Sequence, residues 1–259
     1  MQKSTMKNFL HDMILQAGAV TLAHKARLAE VAVHRKSDKD LVTEADIAVE
    51  QFLIEKIKSR WPHHAILGEE SGHSAGSEYR WVIDPIDGTT SFFHNLPFYS
   101  ISIALQRQNQ TVLAAVYAPV LGELFIAEKD NGACLNDAPI RVSGRTVLSD
   151  CVMATGFACL RANLKDNNLP LINRIAPKLR GLRILGSAAL DLCYVACGRL
   201  DGSWEINLNL YDIAAGMLIA QEAGAIVSDF SGGSDKIPFQ IAAASPAIYP
   251  QLQPLLQGP

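Results

Sequence analysis

The 259 residues are 49% hydrophobic and 19% charged with a formal net charge of −3, the balance of a globular enzyme able to bury one large core or two. A pI of about 6.2 and no run of more than two Lys or Arg residues argue against nucleic acid or an anionic membrane as the main partner. No stretch nears the ~18 uncharged apolar residues of a membrane span, the N-terminus has no apolar secretory signal, and Cys134, Cys151, Cys159, Cys193 and Cys197 lack C-x-x-C spacing, so free thiols and a cytoplasmic location are expected.

Residues 6–30 place Phe9, Leu10, Met13, Ile14, Ala17, Val20 and Leu28 at a helical period, which predicts a packing helix. His11 and His24 on it read as surface or packing residues rather than metal ligands. The polar stretch 33–40, VHRKSDKD, reads as a loop. Thr43-Glu-Ala-Asp46 has capping-box form with Asp in place of Glu, so a second helix should run past Ile47, Phe52, Ile54 and Ile57 to Trp61-Pro-His-His. By chemistry alone, Asp46 is a first-turn charge favoured by the helix dipole. Ala65-Ile-Leu67 reads as a short buried strand delivering Gly68-Glu-Glu-Ser71, where adjacent glutamates suit either a cation or a solvated turn. Residues 72–79 read as a flexible linker.

The apolar run Trp81-Val-Ile ends at Asp84, and Pro85, which has no N–H, is expected to stop strand pairing there. Asp87 follows, and Gly88, Thr89 and Thr90 open a short helix. Two carboxylates on a rigid turn suit Mg²⁺, a hard cation that takes oxygen ligands. Free N–H groups at a helix start suit a phosphate. The bland alternative is an Asx turn or N-cap without a ligand. Residues 100–105, 112–117 and 123–127 read as antiparallel strands of one sheet, with turns at Asn131-Gly132 and Asn136-Asp137. Arg141-Val-Ser143 closes the first half.

The second half opens with a buried strand, Cys151-Val-Met-Ala-Thr-Gly-Phe157, followed by a helix over 168–179 and a strand over 182–185. Gly186-Ser187 starts a helix from Ala188 to Cys197, stopped by Gly198. A strand over 201–206, an amphipathic helix over 211–224 and a final core strand over 225–228 complete the reading. The alternation suggests an α/β half, 146–259, behind an α+β half, 1–145. Cys193-Tyr-Val-Ala-Cys-Gly-Arg199 has the C-x5-R spacing of cysteine-dependent phosphatases. Cys193 nevertheless falls inside an apolar helical run, where burial raises a thiol's pKa, so no thiolate nucleophile is expected. H-E-x-x-H and G-x-x-x-x-G-K patterns are both absent, leaving zinc proteases and P-loop hydrolases no starting point.

Asp84-Pro-Ile-Asp-Gly-Thr-Thr90, together with Asp40-Leu-Val-Thr-Glu-Ala-Asp46, Gly68-Glu-Glu-Ser71, Gly186-Ser-Ala-Ala-Leu-Asp-Leu192 and Tyr211-Asp-Ile-Ala-Ala-Gly216, resembles the signature of the inositol monophosphatase family in order and spacing. These are Mg²⁺-dependent, lithium-sensitive phosphatases that share a fold with fructose-1,6-bisphosphatase. The resemblance implies a mixed α/β fold, a layered αβαβα sandwich with the site between its halves and the 33–40 segment as a flap. It implies that Glu69, Asp84 and the Ile86 carbonyl hold one Mg²⁺, that Asp84, Asp87 and Asp212 hold a second, and that a third sits near Glu69. Glu69, flanked by Glu70, would orient the attacking water with Thr89, which bonds to Asp46. The amides of Gly88, Thr89 and Thr90 would hold the phosphate, while Glu205 and the backbone of Gly186, Ser187 and Ala188 would line the substrate pocket. For Glu205, a surface strand residue is the bland alternative. Ser91 stands where the family usually has Asn, and Tyr211 where it has Trp; both replacements keep the capping or flat-packing role.

The implied reaction is hydrolysis of a small-molecule phosphate monoester by direct water attack, in a homodimer without nucleic-acid or membrane partners. The expected substrate is myo-inositol 1-phosphate; fructose 1,6-bisphosphate, 3′-phosphoadenosine phosphates and histidinol phosphate are alternatives. A scaffold or regulatory protein with a decayed site would have lost a carboxylate, yet Glu69, Asp84, Asp87 and Asp212 are all present.

Overall fold

The structure, a computed structural model, describes residues 2–28, 33–37, 40–76 and 78–257. Helix α1 (Gln2–Ala26) buries Leu10, Met13, Ile14 and Ala17, the i, i+3, i+4, i+7 stripe of an amphipathic helix. It stops short of the expected residue 30, and 29–32 lie outside the described residues. The 33–40 segment is not simply a loop. Strand β1 (Val33–Ser37) pairs antiparallel with β2 (Asp40–Thr43), and only 38–39 between them lie outside the described residues. Polar composition hid the hairpin because its ladder is made by backbone groups. Helix α2 (Glu44–Arg60) begins with the expected capping box: Thr43 Oγ1 accepts from the amides of Ala45 and Asp46, and the Thr43 amide donates to Asp46 Oδ2 at 2.8 Å. Helices α1 and α2 pack on one face of a large sheet, bringing Leu10, Leu53 and Ile57 together with Trp81, Ile83 and Ile103.

That sheet has β3 (Ala65–Gly68), β4 (Gly72–Ser74), β5 (Tyr79–Asp87), β6 (Ser100–Arg107), β7 (Gln110–Ala118), β8 (Glu123–Glu128), β9 (Ala133–Leu135) and β10 (Ala138–Pro139). Its spatial order is β10-β9-β8-β7-β6-β5-β3-β4, antiparallel throughout except for β3 beside β5. The expected 72–79 linker therefore supplies an edge strand, β4, with His73 opposite Leu67. Pairing also does not end at Pro85. Asp84 lies opposite Ser102, the register shifts, and Asp87 resumes opposite Ser100. Pro85 and Ile86 fall within a bulge, where a residue without an N–H is tolerated and side chains are re-aimed.

The second sheet comprises β11 (Val152–Thr155), β12 (Gly181–Arg183), β13 (Gly202–Ile206), β14 (Ile226–Ser228) and β15 (Gln240–Ala244), ordered β12-β11-β13-β15-β14. The first three in that order run parallel, and β15 runs antiparallel to both neighbours. The remaining helices are α3 (Thr89–Phe93), α4 (Ala158–Arg161), α5 (Leu169–Ile175), α6 (Ala188–Ala196), α7 (Leu210–Glu222) and α8 (Tyr249–Gln257). Every residue of α6 is buried, as suits a helix apolar nearly all round, and α6 and α7 fill the space between the sheets. Helices α5 and α8 cover the outer face of the second sheet, with Leu171, Ile175, Leu252 and Leu256 around Met153 and Trp204. The layers run α1/α2, large sheet, α6/α7, small sheet, α5/α8: the αβαβα sandwich of a mixed α/β protein.

Two second-half expectations change. The strand expected as a final core element is the edge strand β14, with Ile226 exposed, and the inner place belongs to β15. The 168–179 helix divides into α5 and a 3-10 turn at Ala176–Lys178, where Pro177 supplies no amide.

Candidate active site

The bulge in β5 puts Asp84 and Asp87 on one turn, both buried. Asp84 Oδ1 accepts from the Ile86 amide at 3.0 Å, so the Asx turn is real, but it occupies only one carboxylate oxygen. Asp87 accepts from Ser187 Oγ at 2.6 Å, the Ala189 amide at 2.7 Å and the Ala188 amide at 3.3 Å. It thereby caps α6 from a residue a hundred positions away. Gly88 leads into α3 at φ +97°; a Cβ there would lie 3.0 Å from the Phe98 carbonyl oxygen and 3.1 Å from that of Gly186. Thr89 Oγ1 donates toward Asp46 Oδ1 at 3.2 Å and the Ile86 carbonyl at 3.1 Å, tying the first turns of α2 and α3 together. Ser91 is buried and donates to the Leu185 carbonyl at 3.3 Å.

Glu69 follows the end of β3, and its amide donates to the Ile83 carbonyl at 3.2 Å. The turn is held by Glu50, which accepts from the Glu70 amide at 3.0 Å and the Ser71 amide at 2.7 Å. Sequence reasoning missed Glu50, although it lies one turn after Asp46 on the buried face of α2, an unusual place for two acids. Asp212 sits in the first turn of α7 and accepts from the Asn209 amide at 2.6 Å.

Glu69, Asp84, Ile86, Asp87 and Asp212 line one cavity of about 70 Å³ together with the Gly88–Thr90 turn. Beside it lies a cleft of about 820 Å³ that shares Glu69, Asp87, Thr90, Gly186 and Asp212 and extends to Glu205 and Tyr211. Ala188 lines the cleft too, whereas Ser187 is fully buried behind Asp87, 3.2 Å from Ser100 Oγ. Glu205 is not a surface strand residue: β13 holds it at 7% exposure, with its carboxyl where Gly156 lacks a side chain. A Cβ on Gly156 would meet Glu205 Oε2 at 2.0 Å. The sequence carried no recognised signal for Gly156 or for Arg161 on α4 beside it, and Asp191, inside the Gly186–Leu192 stretch, was given no role. Asp191 is buried in α6 with neither oxygen hydrogen-bonded among the described residues.

Burial pushes Asp84 well above the usual carboxylate range, reinforced by Glu69, Asp87 and Asp212. Burial raises Asp87 to about 6 against the opposing bonds from Ser187, Ala189 and Ala188, and Asp46 to about 6 against those from Thr43. Asp212 is raised to about 8 by burial and then by Asp87; Glu205 reaches about 8 for the same two reasons, with Arg161 opposing. Crowded carboxylates in a partly dry pocket call for a cation. The donors are all oxygens, carboxylates and the Ile86 carbonyl, with no His or Cys on the small cavity, which fits Mg²⁺ rather than zinc. Among the described residues no three His, Cys, Asp or Glu side chains already close into a metal cage, so the acids share a cavity rather than a finished coordination sphere.

The cysteine alternative fails on position. Cys193 is fully buried, its thiol pushed well up by burial, and Arg199 pairs with Glu123 at 2.6 Å. All five cysteines are free, as expected. Among the described residues no helix is long and apolar enough to cross a membrane.

The profile of the inositol monophosphatase family matches residues 2–257. The chain is 39% identical over 239 residues to the inositol-1-monophosphatase of Mesorhizobium japonicum, covering 92% of this chain and 90% of that protein. It is 42% identical over 225 residues to the Nus factor SuhB of Pseudomonas aeruginosa, covering 85% and 83%. Among solved structures, the extragenic suppressor protein SuhB from Bartonella henselae matches with a TM-score of 0.92 at 36% identity, covering 98% of this chain and 99% of that one.

Proposed function

The chain belongs to the inositol monophosphatase family, and on that premise we propose that it hydrolyses small phosphate monoesters with Mg²⁺, myo-inositol 1-phosphate among them. The observation that carries this reading is the convergence of Glu69, Asp84, Asp87 and Asp212, from three separate parts of the chain, on the cavity that also holds the Gly88–Thr90 turn. Glu69, Asp84 and the Ile86 carbonyl would hold one ion, and Asp84, Asp87 and Asp212 a second; a third would sit beside Glu69. When bound, Mg²⁺ lowers the pKa of a water and neutralises the leaving alkoxide.

The remaining work falls to the chain. Thr89 directs its proton toward Asp46 and the Ile86 carbonyl, so its oxygen accepts a hydrogen bond from the attacking water. Glu69, which lines the same cavity, would orient that water too. The first amides of α3 hold the phosphoryl oxygens as charge redistributes. Glu205, whose carboxyl burial and Asp87 push up to about 8, turns its oxygens toward substrate hydroxyls in the cleft. Family membership alone supports the further reading of a cytoplasmic, lithium-sensitive homodimer divided near residue 145.

A second reading, a protein that works by binding without turnover, is favoured by the name Nus factor SuhB carried by several relatives. The intact carboxylate set supports catalysis, and the two roles are compatible. Phosphate release from inositol 1-phosphate, with Mg²⁺ and with EDTA, separates them when repeated on Asp87→Asn. Asn can still cap α6, so the fold should persist while the rate drops below about a tenth through loss of charge at the transition state. A folded Asp87→Asn protein with more than that rate would overturn the two-ion assignment.

A further inference from the structure

Among the described residues, every charged side chain on the cleft is acidic except one. Glu69, Glu70, Asp87, Glu205 and Asp212 face it, and among the described residues Arg161 is the single basic residue on either cavity. Arg107, Arg145, Arg180 and Arg199 each sit on a carboxylate of their own. Arg161 does not: it is exposed at the end of α4, and no hydrogen bond or ion pair engages its guanidinium among the described residues. Its charge still reaches Glu205 and Asp212, holding both below where burial would put them.

A guanidinium is a planar fork of donors matched to the two oxygens of an oxyanion, and one left unbonded beside a substrate cleft is available to a partner from outside the chain. That partner need not be the phosphate under attack, which has its own cradle in the Gly88–Thr90 turn of the 70 Å³ cavity. Arg161 lies where that cavity meets the cleft, and the cleft's 820 Å³ is at the upper end of the ~300–1,000 Å³ of small-molecule sites. There is room for a ring and a second charged group. The turn carrying Arg161 also keeps its place beside Glu205, because Gly156 has no side chain to hold them apart.

We propose that Arg161 is a specificity-determining residue that holds a second oxyanion, phosphate or carboxylate, on the leaving-group side of the substrate. The cleft then prefers esters carrying another anionic group over neutral polyol monophosphates. This rests on the phosphatase reading and narrows its substrate class.

The test is kcat/KM with Mg²⁺ for wild type, Arg161→Ala and Arg161→Lys on fructose 1,6-bisphosphate, 6-phosphogluconate, inositol 1-phosphate and 4-nitrophenyl phosphate. Wild type should favour at least one of the two doubly anionic esters. Arg161→Ala should lose about tenfold or more on that ester, chiefly through KM, as expected for a lost charged bidentate contact. It should stay within about threefold of wild type on the other two, and Arg161→Lys should recover part of the loss. Which ester is favoured tells a phosphate partner from a carboxylate. Equal losses on all four would move Arg161 to the transferring phosphate, and no loss on any would make it a surface arginine; either result overturns the inference. Calorimetric titration with the same two anionic esters, using Ca²⁺ in place of Mg²⁺, separates this from the phosphatase reading. Arg161-dependent binding in a protein that hydrolyses none of the four would sink the latter and leave the former standing.

Discussion

At the scale of single residues, the site is defined as much by missing side chains as by present ones. Gly88 adopts φ +97° under two carbonyl oxygens, a conformation costing about 1–3 kcal/mol for any other residue. Gly156 leaves the space into which the Glu205 carboxyl projects. Glu205 is the residue whose removal should separate substrate reading from chemistry, because the phosphate cradle and the carboxylate cavity do not include it. Glu205→Ala should lower kcat/KM for inositol 1-phosphate by roughly 10- to 100-fold, equivalent to about 1.5–3 kcal/mol for hydrogen bonds to a carboxylate. Activity on an aryl phosphate should change little. Equal losses on both substrates would make Glu205 a support for the metal cavity instead.

At the scale of elements, carboxylates fasten neighbouring pieces of chain together. Asp87 fastens β5 to α6, Glu50 fastens α2 to the turn after β3, and Asp201 fastens the crossing between the two sheets. Asp201 is 1% exposed and accepts from Ser143 Oγ at 2.5 Å, Arg145 Nη1 at 3.1 Å and the Val152 amide at 2.8 Å. Arg145 is half exposed, so its share is screened, and the buried amide and hydroxyl dominate. Asp201→Ala should destabilise the protein by about 3 kcal/mol, the cost of stranding them, read as a lower urea midpoint. A loss under about 1 kcal/mol would show that the segment holds its place without the clamp. Turnover measured well below the melting temperature should be unaffected, since Asp201 lies on neither cavity.

At the scale of the whole molecule, folding gathers acids that repel one another. A group whose folded pKa is raised binds protons on folding, so it adds stability at low pH and loses it as pH rises through the folded value. Asp212 and Glu205 start from 3.8 and 4.5 and rise to about 8, while Asp46 and Asp87 rise to about 6. Burial lowers His64, whose ring accepts from Trp81 Nε1 at 3.0 Å, but this opposing effect is confined below its ordinary 6.5. In EDTA, therefore, Tm should fall between pH 6.5 and about 9, and saturating Mg²⁺ should flatten or reverse that trend, because it binds the deprotonated acids. A metal-free Tm flat across that window would contradict the crowding. The capping box at Thr43, the buried strand that delivers Asp84, the buried Cys193 helix and the first-turn Asp212 were legible in the sequence, because cap chemistry and apolar periodicity are local. So were the motifs that carry the family resemblance. The hairpin at 33–43, the bulge that carries β5 past Pro85 and the inner place of β15 were not, because backbone pairing depends on which strand arrives alongside. Arg161, Glu50, Gly156 and the capping of α6 by Asp87 were decided only by tertiary structure, for each acts through residues distant in the chain and brought near by the packing of the two sheets around α6 and α7.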